Sequence, residues 1–150
     1  MHLVIIDEDY NERVFMGMEL RKAFPKAQLT FFQAIGYFLE EYPNLQQPFV
    51  LILEMILPLY VLLEEIDDLE KRLKDLREKF PWLGDDWDGR RGAEVLIRGI
   101  RRIQDDLPII INTDVDTSLI SPDIRGLPLL HMTEKDSGCP NLINLLRTEF

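Results

Sequence analysis

The chain has 150 residues, of which 46% are hydrophobic, and it carries a formal net charge of −10. This length and hydrophobic content suit one globular domain with its own core and exclude a disordered chain. The acidic charge argues against nucleic-acid partners and anionic membranes, because phosphates would be repelled. The longest apolar stretch falls well short of the roughly 20 residues that span a bilayer. The single cysteine, Cys139, excludes an internal disulfide, so we expect a reduced cytoplasmic protein.

Short apolar runs alternate with helical segments in the first part of the chain. Residues 3–6, 28–32 and 49–53 predict strands, and residues 11–24 and 34–42 predict helices. We expect Asn11 to cap the first helix and Pro25 to end it. The third run is apolar at every position up to Leu53, which is typical of a central strand buried on both faces of a parallel sheet.

The segment from residue 59 to residue 80 contains neither glycine nor proline and is dense in charged residues. Its apolar residues recur at alternating steps of four and three: Leu62, Ile66, Leu69, Leu73, Leu76 and Phe80. This heptad spacing predicts a helix with one narrow apolar seam. We favour the seam as an interaction surface, with packing onto the parent domain as the alternative. Residues 59–87 are interpreted as a helical insertion within a single domain of residues 1–150, because one helix cannot make its own core.

The second half of the chain continues the alternation of helices and strands. Residues 90–104 predict a helix, 109–113 a buried strand, 114–125 at most a short helix, 127–133 a weaker strand and 140–150 a closing helix. Alternation of this kind indicates an α/β protein whose parallel sheet is covered by helices on both faces.

Polar residues stand at the ends of four of the predicted strands. The first strand is followed by Asp7, Glu8 and Asp9, the third by Glu54, the fourth ends in Thr113, and the fifth is followed by Lys135. Because the carboxyl ends of parallel strands meet at one edge, these side chains should converge on one pocket. Grouped acids suit Mg²⁺, so Asp7 and Glu8 are the candidate metal ligands and Mg²⁺ is the candidate cofactor. The hydroxyl and the ammonium suit the oxygens of a phosphoryl group.

With these residues placed, the chain resembles the receiver domain of two-component response regulators over nearly its whole length apart from the insertion. The matching stretches are residues 5–9, 51–58, 88–96, 107–113 and 133–135. The resemblance implies a doubly wound five-stranded parallel sheet of flavodoxin-like order. It also implies an acidic pair at Asp7 and Glu8, a phosphoacceptor position at Glu54, phosphate-side residues Thr113 and Lys135, and a bacterial two-component pathway.

The departures from the family pattern fall on the phosphorylation site. The family's acceptor is aspartate, whereas this chain has Glu54. The extra methylene moves the carboxylate outward by about 1.5 Å, a single bond length, and in-line phosphoryl transfer depends on placement at that scale. The longer side chain should instead accept hydrogen bonds from Lys135 or Thr113. Asp136 follows the lysine where the family has proline, and Met132 replaces the family's aromatic switch residue.

These departures predict an atypical receiver, or pseudo-receiver, which signals by phosphorylation-independent protein–protein interaction and is not an enzyme. The expected partner is a sensor kinase, an effector or a second copy of the chain, with no nucleic acid and no membrane. One alternative is a Mg-dependent phosphorylatable receiver or small phosphoryl-handling protein. A second alternative is an assembly module that uses the heptad helix of residues 62–80.

Overall fold

Five parallel strands build the sheet of this protein, in the order β2-β1-β3-β4-β5. The computed structural model describes residues 1–60 and 68–150. Its strands are β1 (His2–Ile6), β2 (Gln28–Phe32), β3 (Val50–Leu53), β4 (Ile109–Thr113) and β5 (Leu130–Glu134). The predicted doubly wound α/β fold with a five-stranded parallel sheet is confirmed. The last strand begins three residues later than the sequence pattern indicated.

Helices cover both faces of this sheet. They are α1 (Tyr10–Ala23), α2 (Ile35–Glu41), α3 (Leu69–Lys79), α4 (Gly92–Ile103), α5 (Pro122–Arg125) and α6 (Pro140–Glu149). Helix α1 is capped by Asp9, whose carboxylate accepts hydrogen bonds from the backbone N–H groups of Asn11 and Glu12. The prediction of Asn11 as the N-cap was therefore wrong by two residues, since Asp9, the acid directly before the first residue of the helix, takes that role.

Successive residues of the central strands point to opposite sides and so divide the core into two layers. Leu51 and Leu53 face a layer built with α2, α3, α4 and α5. Val50 and Ile52 face a second layer built with α1 and α6. Because all four residues of β3 are buried, this strand lies in the middle of both layers, and whatever follows it emerges at the centre of the sheet edge.

The insertion after β3 is attached to the domain through helix α3. The guanidinium of Arg72 donates two hydrogen bonds to the carboxylate of Glu40 on α2, at 2.8 and 2.5 Å. It also lies 5.4 Å from the ring centroids of both Tyr37 and Tyr60, within cation–π range. We call this group of four residues the Arg72 clamp. It connects α3 to α2.

The seam of the insertion helix packs inward. Leu76 and Phe80 are buried in the core layer of α2 and α4, and Leu69 and Leu73 pack against the same layer. The preferred interpretation of the seam as an interaction surface is thereby corrected for Leu76 and Phe80, because a side chain buried in its own core is not available to a partner, whereas Leu69 and Leu73 are half-buried. The other two seam positions, Leu62 and Ile66, lie outside the described residues.

The loop that leads from α3 to α4 packs closely against α4 and against the segment that follows β3. The indole of Trp82 lies so close to Gly99 of α4 that a Cβ atom there would collide with the ring. The indole N–H of Trp87 donates a hydrogen bond of 3.1 Å to the backbone carbonyl of Leu57. Residues 81–87 are thus part of the domain surface. Over residues 1–60 and 68–150, no helix combines the length and apolarity needed to cross a bilayer.

Candidate functional site

Four of the residues singled out from the sequence lie at the same edge of the sheet. Asp7 directly follows β1, Glu54 follows β3, Thr113 is the last residue of β4, and Lys135 follows β5. Backbone hydrogen bonds continue the strand ladder to these positions: the N–H of Glu54 donates to the carbonyl of Ile6 at 3.1 Å, and the N–H of Lys135 donates to the carbonyl of Thr113 at 3.0 Å. These hydrogen bonds fix the backbone positions from which the side chains of Glu54 and Lys135 extend.

The ammonium of Lys135 lies between two carboxylates. Its Nζ donates to Oδ2 of Asp7 at 2.8 Å and forms an ion pair with Oε2 of Glu54. The side chain of Lys135 is only 11% exposed, and those of Asp7 and Glu54 are similarly covered. Since its members directly follow β1, β3 and β5, this triad connects the ends of three strands through a single buried charge cluster.

The carboxylate of Glu54 accepts hydrogen bonds at both of its oxygens. Oε1 accepts from the backbone N–H of Met55 at 2.6 Å and from the hydroxyl of Thr113. Oε2 faces Lys135. The hydroxyl oxygen of Thr113 in turn accepts from the N–H of Val115 at 3.1 Å, which fixes the direction of its proton. The expectation that Glu54 reaches Lys135 and Thr113 directly is confirmed, and it contacts both at once.

Burial of Lys135 would by itself lower the pKa of its ammonium. Hydrogen bonds to Asp7 and Glu54, together with the charges of these carboxylates, outweigh burial and hold the pKa of Lys135 above its ordinary value. The lysine is therefore a fixed positive charge at every physiological pH, and it neutralises part of the charge of the two acids.

The predicted acidic pocket is divided by the structure. Only Asp7 turns inward, and its Oδ1 accepts a hydrogen bond from the N–H of Asp9. Glu8 is exposed, and Asp9 is occupied as the cap of α1. Two further positions depart from the receiver pattern, and they lie in different environments. Asp136 is exposed, and Met132 is half-buried against the core.

A divalent cation does not fit the site as it is arranged. The two inward carboxylates, Asp7 and Glu54, already direct one oxygen each at Lys135, and Glu8 points away into solvent. Within the described part of the chain, no group of three or more His, Cys, Asp or Glu side chains is placed to hold a metal ion. Asp7 already binds Lys135 through Oδ2 and the N–H of Asp9 through Oδ1, and Glu8 is exposed, so the pairing of Asp7 with Glu8 as metal ligands is not what the geometry favours.

One functional candidate escaped sequence reasoning. Glu94, in the first turn of α4, is fully buried and accepts hydrogen bonds from the backbone N–H of Ser121 at 2.7 Å and from Nη1 of Arg91 at 3.3 Å. It ties the start of α4 to the segment that follows β4. A signal was present, because Glu94 lies three residues before Ile97 on the face of the helix that is otherwise apolar.

Comparisons of the whole fold place these features among known structures. The non-phosphorylated receiver domain of the stress response regulator RcsB from Escherichia coli aligns with a TM-score of 0.69 at 18% identity, covering 98% of this chain and 90% of that chain. The response regulator TrrA from Thermotoga maritima, in complex with Mg²⁺ and beryllofluoride, aligns with a TM-score of 0.64 at 14% identity, covering 97% and 96%. The chain has the receiver-domain fold.

A longer RcsB response regulator from Salmonella typhimurium aligns in the same way, with a TM-score of 0.67 and 19% identity. The alignment covers 98% of this chain but 58% of that one, so this chain spans less than two thirds of that regulator. No family model matches the sequence, and no curated protein sequence matches it either. The likeness to receiver domains therefore rests on three-dimensional structure. At sequence identities of 14 to 19%, it establishes the fold alone.

Proposed function

We propose that this protein is a pseudo-receiver: a receiver-fold signalling protein that acts by binding another protein and has no phosphorylation cycle. The observation that carries the proposal is the cage around Glu54. Met55, Thr113 and Lys135 together engage both carboxylate oxygens. A carboxylate must present a free oxygen in line with the phosphorus in order to attack it, and these contacts occupy the oxygens that would do so.

The cage also supports a fixed conformation. In this fold, Thr113 ends β4 and Lys135 follows β5, and the side chain of Glu54 reaches both of them directly. We infer that the carboxylate of Glu54 takes the place of the phosphoryl charge that phosphorylation and dephosphorylation would otherwise add and remove. The protein would then display one surface at all times, and regulation would come from its abundance or from its partner.

The partner is proposed to be a signalling protein of a bacterial two-component or related pathway in the cytoplasm, either a sensor kinase, an effector or a second copy of the chain. The RcsB structure from Salmonella enterica that is bound to a promoter concerns a longer protein of which this chain covers 68%. With a net charge of −10, this chain itself is a poor match for DNA. The proposed partner is therefore a protein, and the proposed role involves no catalytic turnover.

One rival function has support from the same geometry. Asp7, Thr113 and Lys135 surround Glu54, and the fold is shared with TrrA, which was crystallised with Mg²⁺ and beryllofluoride. A phosphorylatable receiver would need these groups too. An assembly module built on the seam of α3 has less support, because Leu69, Leu73, Leu76 and Phe80 pack against their own domain.

The deciding experiment adds Mg²⁺ and beryllofluoride to the ¹⁵N-labelled protein and follows the backbone amide resonances. We expect the amides of Glu54, Thr113 and Lys135 to stay unshifted, because the ammonium of Lys135 fills the place of a cation. The matched variant is Glu54→Asp, whose shorter side chain withdraws by about 1.5 Å. We expect it to gain a Mg-dependent beryllofluoride response.

Saturable shifts at Glu54 and Thr113 in the unmodified protein would overturn the pseudo-receiver proposal in favour of the phosphorylatable rival. If both proteins stay silent while both remain folded, the length of Glu54 is not what closes the site, and the explanation given for its cage would be wrong.

A further inference from the structure

A cleft opens next to the charge cluster, at the same edge of the sheet. It has a volume of about 420 Å³ and lies between the segment that follows β3, the residues that precede α4 and the segment that follows β4. Met55 and Val115 line its apolar part together with Ile56 and Leu119, and Arg90 and Arg91 stand at its rim. None of the roles derived so far uses this cleft.

Two large apolar side chains of the cleft are exposed. Leu119 is 68% exposed and Ile56 is 43% exposed, although Met55, beside them, is buried. The two exposed residues belong to different loops, one after β3 and one after β4, and both line the same cleft. Apolar side chains that gather from separate loops around one hollow are typical of a surface that a partner covers.

The arginines at the rim are held in position by carboxylates of the chain. Nε and Nη2 of Arg90 donate to the carboxylate of Asp88 at 3.1 and 3.2 Å, and these bonds hold the pKa of Asp88 below its usual value. Nη1 of Arg91 donates to the buried Glu94. A guanidinium has five N–H donors, and the hydrogen bonds made within residues 1–60 and 68–150 leave donors on both arginines for an added anion.

The charge around the cleft differs from that of the whole protein. The lining of the cleft contains two arginines, Arg90 and Arg91, and one acid, Asp88, in a chain whose net charge is −10. An acidic group of a partner is repelled by most of the surface and attracted to these two arginines, and such complementarity sets where and in which orientation a partner docks.

We infer that this cleft binds a segment of a partner protein in which a bulky apolar side chain stands next to an acidic one. The apolar side chain would cover Ile56 and Leu119, and the carboxylate would accept hydrogen bonds from Arg90 and Arg91. A small molecule suits the cleft less well, because walls as exposed as Leu119 cannot enclose most of a small ligand. The inference rests on the proposed function in one respect, that the partner is a protein.

The test uses a synthetic peptide as the probe. The acetylated, amidated peptide Gly-Glu-Leu-Phe-Glu-Gly is titrated into the full ¹⁵N-labelled chain, alongside Gly-Lys-Leu-Phe-Lys-Gly and Gly-Glu-Ser-Ser-Glu-Gly. We expect the first peptide to shift the amides of Ile56, Arg90, Val115 and Leu119 with a dissociation constant of about 1 mM. The other two peptides should bind at least about tenfold more weakly, because each lacks one of the two required features.

Variants locate the binding. Arg90→Ser and Leu119→Ser should each weaken binding of the first peptide by about fivefold, as expected for one charge-assisted hydrogen bond or one apolar contact. The matched control is Arg102→Ser, which removes the same charge from an exposed position of α4 away from the cleft lining. It should leave the dissociation constant unchanged.

The inference is overturned if the first peptide causes no shifts at the cleft, if the lysine peptide binds equally well, or if Arg102→Ser weakens binding as much as Arg90→Ser. A failure here is distinguishable from a failure of the proposed function, because the latter is read from the beryllofluoride response of Glu54 and Thr113. Peptide binding together with such a response would overturn the pseudo-receiver proposal alone, and no peptide binding with a silent site would overturn the cleft alone.

Discussion

Two groups in this molecule each connect secondary-structure elements through one cation, and the two cations differ in how deeply they are buried. In the first, Lys135 bridges the carboxylates of Asp7 and Glu54 and is 11% exposed. In the second, the Arg72 clamp, the guanidinium pairs with one carboxylate and lies over two aromatic rings, and it is 34% exposed. The first connects three strands inside the sheet edge, whereas the second attaches a helix to the outside.

The difference in burial determines what each cation contributes. A buried ion pair gains little net free energy over an apolar replacement, but removal of one member leaves the others charged and without compensation. A half-exposed pair is screened by water, so its loss costs much less. The charge cluster therefore enforces one arrangement of the strand ends, and the clamp adds a modest attachment of α3.

The largest expected effect comes from Lys135→Met. Loss of the ammonium leaves Asp7 and Glu54 facing each other without a cation, and we expect the free energy of unfolding to fall by about 3 kcal/mol. Urea titration monitored by circular dichroism measures it. The matched control, Asp7→Asn combined with Glu54→Gln and Lys135→Met, should recover a large part of the loss. A single variant as stable as the parent protein would mean that the cluster is solvated.

A smaller effect is expected from Arg72→Met, which keeps an apolar stem over Tyr37 and Tyr60 and removes the charge. The free energy of unfolding should fall by about 1 kcal/mol, because the pair with Glu40 is partly exposed and the cation–π contribution is of the same order. Its control is Lys71→Met, which removes a charge from the neighbouring exposed position. A loss equal to that of Lys135→Met would contradict the distinction between the two groups.

The smallest effect is expected from alkaline pH, which should remove the charge of Lys135 in the first group and leave that of Arg72 in the second. The pKa of Lys135 is raised in the folded protein, so its stabilisation is complete below the unfolded-state pKa of about 10.4 and is lost as the pH rises further. Arg72 keeps its proton throughout this range. Unfolding free energies from about pH 8 to about pH 11 should therefore decline less steeply in Lys135→Met.

Tyr60 supplies the control for this pH profile. Burial raises the pKa of its hydroxyl to about 12, and the charge of Glu40 adds to the rise. Since the unfolded tyrosine ionises first, Tyr60 also loses stabilisation as the pH rises above about 10. Comparison of Lys135→Met with the parent in a Tyr60→Phe background isolates the lysine. If the two profiles there are parallel, the raised pKa of Lys135 has no bearing on stability.

The central part of the fold was predictable because its signals are local and unambiguous. The runs at residues 28–32 and 109–113 became β2 and β4 with the predicted bounds. Parallel strands place their carboxyl ends together, so the convergence of Asp7, Glu54, Thr113 and Lys135 followed from the alternation of elements. The reach of Glu54 to Thr113 and Lys135 followed from the length of its side chain.

The parts that could not be predicted depend on where surfaces meet. The spacing of Leu69, Leu73 and Leu76 establishes an apolar face but does not say what covers it, and the parent domain does so. Glu8 and Asp7 are adjacent acids in the sequence, and only the end of β1 determines that Asp7 turns inward. The cleft between Ile56 and Leu119 joins residues far apart in the chain, so no periodicity could indicate it.

The contact between Trp82 and Gly99 bears on how this protein can be shortened. The indole occupies a hollow that exists only because position 99 has no side chain. Excision of residues 59–87 would leave that hollow open to water, together with the core positions now filled by Leu76, Phe80 and Leu83. The insertion and α4 are closely packed against each other. A shortened version of this domain would therefore need new surface residues on α4, beginning with a larger residue at position 99.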